Sequence, residues 1–390
     1  MSICSFAKSF SKEQIAHLMY YQKFASNIFY KNLNLQSDFQ LSIKTKKLLS
    51  SLSLEQKISQ LFLVNIEGKD TFIPIRDFID GSKEGILPGG YLLFSYNLSK
   101  SPEVLYSFIR QIQKAHSAYS NFLPLISVDC EGGYVNRLSI YQEIGLPSQE
   151  YVSENLSTEE AEKLYRESAR LMNECGIDLN FAPVVEVKAQ YNKDFLFDRS
   201  YGSIENVIKY SRIQIRAYKE NNCLSVIKHF PGNSSDDPHS KTALLDISQS
   251  FFENELLSPF KEVIKNKPHG ILISHVIIPS VDNIPSCFSK KIVTEYLKDK
   301  LHFTGIVYSD DIYMKALSSD SSIDSVALSV VKAFKAGVNV IMSSEKKYLA
   351  LVNKVAALCE DDDELQSRIE ESLYKFTKEK YKINKVFFTE

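Results

Sequence analysis

The sequence predicts an α/β fold, a (β/α)8 TIM-type barrel with a single catalytic domain. Three observations carry that reading. Short apolar runs rich in β-branched residues recur eight times along the chain, the stretches between them have helical period and helix caps, and polar residues collect at the C-terminal ends of the runs. Continuous rather than alternating apolar runs suit parallel strands covered on both faces.

The runs are "QLFLVNI" (60–66), "GGYLLFS" (89–95), "PLISVD" (124–129), "LNFAPVVEV" (179–187), "LSVIKHF" (224–230), "GILISHV" (270–276), "GIVYSDD" (305–311) and "AGVNVIMSS" (336–344). Between them, "SPEVLYSFIRQIQKAHSAY" opens with a Ser cap and a first-turn Pro. "STEEAEKLYRESARLMNECG" has a Ser cap, Glu three residues on, and Gly past its end. Residues 1–45 read as an N-terminal helical extension packed on the barrel exterior, and residues 46–390 as the barrel with closing helices. The closing helices break near "EDDDE", an acidic run that reads as a solvated turn and helix start rather than a metal site.

At 390 residues, 44% hydrophobic and 24% charged, the chain is expected to bury a sizeable core. A net charge of −2 supplies no basic field, which argues against nucleic acid or an anionic membrane as partner. The six cysteines form no CxxC pair and read as reduced, independent thiols. No window approaches the roughly 18 apolar residues of a membrane span, and the N-terminus lacks a secretory apolar core. A cytoplasmic monomer without cofactor is the expectation, acting on small molecules or neutral polymers.

Asp129, Glu186, His229, His275 and Asp310 each stand at the C-terminal end of a run, where barrel enzymes place their chemistry. Four motifs coincide there: "DCEGGYVNRL" (129–138), "NFAPVVEV" (180–187), "KHFPG" (228–232) and "SDDIYMKAL" (309–317). With "SLEQKISQLFLV", "DRSYGS", "SHVIIPSVDNIPSCFS" and "LHFTGIVYSDD", in this order, they resemble the β-N-acetylglucosaminidases of glycoside hydrolase family 3 over about residues 50–345. The chain is similar to the family's single-domain form, which implies release of non-reducing N-acetylglucosamine from peptidoglycan fragments. Chitooligosaccharide hydrolysis and phosphorolysis are also represented in the family.

Read as chemistry, Asp310 suits a nucleophile: a strand end is rigid, and an ionised carboxylate can approach an oxocarbenium-like centre from below the ring. Asp311 suits the cap of the next helix. The resemblance likewise places the nucleophile at the first Asp of "SDD". No second carboxylate has an equally rigid strand-end position. After "KHFPG", however, Asp237 and His239 stand two residues apart in a loop, close enough for the carboxylate to orient the imidazole. A loop Asp-x-His pair is the family's general acid/base, which implies His239 as proton carrier and Asp237 as its partner. The loop is about two residues shorter than the family pattern, and Pro238 occupies a position that is typically Ser.

Asp129 suits paired sugar hydroxyls, and Arg137, Arg199, Lys228 and His229 supply donors. The matching family positions bind the non-reducing N-acetylglucosamine. Glu131 and Glu186 read as structural hydrogen-bond partners and His275 as support. Tyr134 stands where "EGGR" carries Arg, and Cys130 where Gln or His is usual. Two other classes compete: a metal-dependent barrel hydrolase, against which "QLFLVNI" lacks paired histidines, and a catalytically weak sugar-binding protein, which would lack Asp310 or His239.

Overall fold

The computed structural model describes residues 38–74, 76–99, 101–141, 145–236, 242–314, 317 and 320–386. The chain divides between Ser50 and Ser51. In the first unit the described structure is one helix, Asp38–Ser50, which runs through residue 45 because "KTKKLL" contains no breaker.

The second unit is a barrel. In chain order its strands are β1 (Phe62–Asn65), β2 (Gly90–Leu93), β3 (Leu125–Val128), β4 (Cys130–Gly132), β5 (Val135–Asn136), β6 (Leu179–Asn180), β7 (Leu224–Phe230), β8 (Gly270–Ile273), β9 (Ile306–Asp311) and β10 (Val340–Ser343). Eight of them close in the order β1-β10-β9-β8-β7-β6-β3-β2 with every pairing parallel, and β4 pairs with β5 as a separate antiparallel hairpin. Each of the eight predicted runs supplies one barrel strand.

The lumen is packed. Phe181, just past β6, meets Tyr308 of β9 edge to face at 5.6 Å, a contact between strands that are not neighbours and therefore one that fills the interior. Gly270 makes room for it: a Cβ there would lie 2.5 Å from the Tyr308 ring. The flanking helices start as their caps require. Ser101 caps Pro102–Ser117, and Ser157 forms a capping box with Glu160 on Thr158–Glu174. The acidic run opens the last helix: Asp362 accepts from Leu365 N at the start of Asp363–Lys382 and pairs with Lys335 at 2.6 Å.

Two local differences bear on the site. The run 179–187 forms a strand at Leu179–Asn180 and an isolated parallel bridge from Val184 to Lys228, with the interruption around Pro183, which has no N–H to donate. Beyond it Val185 N bonds Lys228 O at 2.7 Å, and the Gln149 amide holds both backbone groups of Val184 at 2.9 Å, so the extended chain is still pinned. The second is the β4–β5 hairpin, which turns at Gly133–Tyr134 with Gly132 at φ +104° and Gly133 at φ +56°.

Candidate active site

The C-terminal ends of β3, β7 and β9 converge on one polar network. Lys228, on β7 and 4% exposed, places its ammonium 2.7 Å from Asp129 Oδ1 and 2.6 Å from Glu131 Oε1. Glu131, on β4, is held from its other side by Arg199: Nε to Oε2 at 2.8 Å and one terminal nitrogen to Oε1 at 2.9 Å. Burial would push the Glu131 carboxyl up, but the adjoining Arg199 and Lys228 cations outweigh it and hold it well below the usual carboxylate range. The same carboxylate raises the already basic Arg199 against the effect of its own burial. These are paired, mutually satisfied charges.

His229 extends the network. Its Nδ1 lies 2.6 Å from Glu186 Oε1 and its Nε2 lies 3.2 Å from Arg199. A carboxylate only accepts and a guanidinium only donates, so the imidazole carries its proton on Nδ1 and accepts at Nε2. Glu186 is fixed in turn by Asn233, whose backbone N–H donates to Oε2 at 2.7 Å. Phe195 closes the side of this cluster, edge-on to the His229 ring and under the Arg199 guanidinium at 4.9 Å.

Asp310, half-buried on β9, accepts the Asp311 N–H at 2.8 Å. Burial raises its pKa, yet His275 and His229, the Asp311 N–H and the Lys228 ammonium together bring it below the ordinary aspartate value. It is an ionised carboxylate at the mouth. Asp311 moves the other way: burial raises it despite bonds from Ser344 and Tyr313 N–H groups. The expectation that Asp311 caps a following helix is corrected here. It closes the turn at 311–313 and ties β9 to the end of β10, while the next described helix, Ile323–Ala336, is capped by Ser322. His275 Nε2 donates to Asp311 O at 3.0 Å, which anchors the strand end.

The network therefore joins Asp129, Arg199, Lys228 and His229, with Asp310 in its electrostatic reach. Arg137 stands beside Asp129 through its backbone N–H on Asp129 O at 3.2 Å, with its guanidinium 5.9 Å from the Phe94 ring. Its Nε is buried and has no hydrogen-bond partner among the described residues. Arg199 and Lys228, which the sequence suggests as sugar donors, direct hydrogen bonds at Glu131, Asp129 and His229. Asp237 and His239 lie outside the described residues. Among the described residues no group of three or more His, Cys, Asp or Glu side chains is arranged to hold a metal ion, and no helix is long and apolar enough to cross a membrane. The five described cysteines are free and buried.

A closed parallel barrel that gathers an ionised strand-end aspartate and a paired cationic network at its C-terminal mouth defines a (β/α)8 protein with an enzyme-type site. The chain belongs to glycosyl hydrolase family 3: the model of the "Glycosyl hydrolase family 3 N terminal domain" matches residues 53–378. A β-hexosaminidase of Nitrosomonas eutropha is 31% identical over 265 residues, covering 66% of this chain and 73% of the relative. Beta-hexosaminidase A of Pseudoalteromonas piscicida is 28% identical over 275 residues, and there the chain spans 45% of the relative's length. Among solved structures, a glycoside hydrolase family 3 β-N-acetylglucosaminidase from Paenibacillus sp. superposes with a TM-score of 0.76 at 24% identity, over 87% of this chain and 65% of that one.

Proposed function

We propose that the chain is a retaining exo-β-N-acetylglucosaminidase that removes non-reducing terminal N-acetylglucosamine from peptidoglycan fragments. The observation that carries the reading is Asp310: a carboxylate at a rigid strand end, kept ionised by cationic and N–H neighbours despite its burial. Family membership and the names of the relatives support the reaction class; the motif resemblance supports the substrate.

In this reading Asp310 attacks the anomeric carbon while His239, oriented by Asp237, protonates the departing oxygen. The resulting glycosyl ester is then hydrolysed by a water that gives its proton to His239. Asp129, held by Lys228, receives sugar hydroxyl donors, and Arg137, tied to Asp129 through its backbone N–H, supplies a further donor. Arg199, Lys228 and His229 keep the pocket's charge and shape fixed before substrate arrives.

The test is turnover of a chromogenic N-acetyl-β-glucosaminide, followed by a panel of muropeptides and chitooligosaccharides with and without phosphate. Turnover that survives chelation, with phosphate-independent release from muropeptides, is the expected result. No turnover of any member by the folded protein would end the reading.

A further inference from the structure

Two aromatic side chains beside the network point away from the core. Tyr134, at the tip of the β4–β5 hairpin, is 82% exposed, and Phe197 is 66% exposed. They are 63 residues apart in sequence, yet the segments that carry them are fastened together twice. Glu131, three residues before Tyr134, grips Arg199, two residues after Phe197. Between these anchors Gly133 packs so closely on Asp198 that a Cβ at Gly133 would lie 2.7 Å from Asp198 Oδ2. The pair that sets the electrostatics of the mouth thus also fastens together the two segments that carry these rings.

Phe197 is held there at a cost. Its backbone sits at φ +49°, ψ −112°, outside the region a side-chain-bearing residue prefers, where glycine would be at ease. A strained backbone that presents a large apolar ring to solvent gains nothing from burial, and such strain collects at ligand-binding positions. Two residues on, the chain returns inward to place Arg199.

We infer that Tyr134 and Phe197 form an aromatic rim that binds the pyranose ring on the leaving-group side of the scissile bond. The C–H face of a pyranose is apolar and fits an aromatic surface, and its rim of hydroxyls stays in water, so an exposed pair of rings suits a sugar better than it suits a buried apolar ligand. The rim is continuous with the site through Glu131 and Arg199, which commits its occupant to the next sugar of the same substrate. This inference rests on the glycosidase reading above.

The experiment compares Tyr134→Ala, Tyr134→Phe and Phe197→Gly with the unaltered protein, measuring KM for a β-1,4-linked disaccharide and trisaccharide, Ki for free N-acetylglucosamine, and Tm. Tyr134→Ala and Phe197→Gly should each raise the oligosaccharide KM about 3–10-fold, the range one aromatic contact supplies. Free N-acetylglucosamine, which needs only the inner site, should bind within about 2-fold of the original. Tyr134→Phe should restore the oligosaccharide KM, because the ring and not the hydroxyl makes the contact. Phe197→Gly should not lower Tm, since it relieves the backbone while removing the ligand contact. An unchanged oligosaccharide KM, or equal losses for oligosaccharide and monosaccharide, would overturn the rim while leaving the glycosidase reading intact. An unaltered protein that neither hydrolyses glycosides nor binds N-acetylglucosamine would overturn both.

Discussion

Arg199 forks onto Glu131 through two parallel hydrogen bonds of 2.8 and 2.9 Å, and Glu131 is completely shielded from solvent in doing so. The carboxylate also receives Lys228 at 2.6 Å, so a single buried anion is shared between two cations drawn from different elements. Removing one member of such a cluster costs more than the bonds it made, because the partners remain buried and charged. Glu131→Gln should therefore lower stability by about 3–5 kcal/mol in denaturant unfolding, whereas Glu131→Asp, which keeps the charge, should lose less. A Gln variant within about 0.5 kcal/mol of the original would show that the two cations are satisfied elsewhere.

The same pair sets a pH dependence whose sign is fixed. Glu131 is depressed in the folded state relative to the unfolded chain, so it contributes stability above its unfolded value, about pH 4.3. That contribution is lost as pH falls toward the folded value. The stability gap between the original protein and Glu131→Gln should be widest near neutrality and should narrow progressively below about pH 4.3. Unfolding midpoints taken at pH 7, 5, 4 and 3 measure it. A gap that stays constant across that series would place the effect in packing rather than in charge.

Asp310→Ala should abolish turnover and leave the fold standing. The side chain is half-buried and accepts the Asp311 N–H, a bond worth about 1 kcal/mol, while its loss removes the attacking group. A fall of at least about a thousandfold in kcat is expected, with a Tm shift of a few degrees at most. A mechanism-based fluoro sugar should label Asp310 in the unaltered protein and nothing at that position in Asp310→Asn. Near-normal turnover by a folded Asp310→Ala would move the nucleophile elsewhere.

The barrel was legible because its signal is local: an apolar run between capped helices identifies a buried parallel strand without knowledge of its neighbour, and all eight runs pair as expected. What escaped depends on distance or on backbone detail. The Gly-Gly of "DCEGGYVNRL" is a turn signal between short extended segments, and it marks the hairpin that places Glu131 and Tyr134. Glu131 and Arg199 are 68 residues apart, and no local period links a buried acid to the particular base that neutralises it. For that reason Arg199 and Lys228 read as free donors from sequence, while in the fold they are neighbours of the same carboxylate. Asp311 differs in the opposite way: its position after a strand suits a helix cap, but its carboxylate accepts from the Tyr313 and Ser344 N–H groups, and the next described helix begins only at Ile323.

The loop pair answers to kinetics rather than to geometry, since a general acid is recognised by which leaving groups need it. In a retaining reaction His239 must protonate a sugar leaving oxygen and later take a proton from water. His239→Ala should therefore cut kcat/KM for a natural disaccharide by about 100-fold or more, yet cost far less with a strongly activated aryl glycoside, whose phenolate departs without a proton. Asp237→Asn should give a weaker form of the same pattern, because the imidazole stays and only its charged partner is lost. Asp236→Asn should be nearly silent if that residue only shapes the turn, where its backbone N–H bonds Ser234 Oγ at 3.2 Å. The three variants, each measured on both substrates, separate acid catalysis from binding. Equal losses on the disaccharide and the aryl glycoside for His239→Ala would mean that the histidine binds substrate or shapes the loop, and that another group carries the proton.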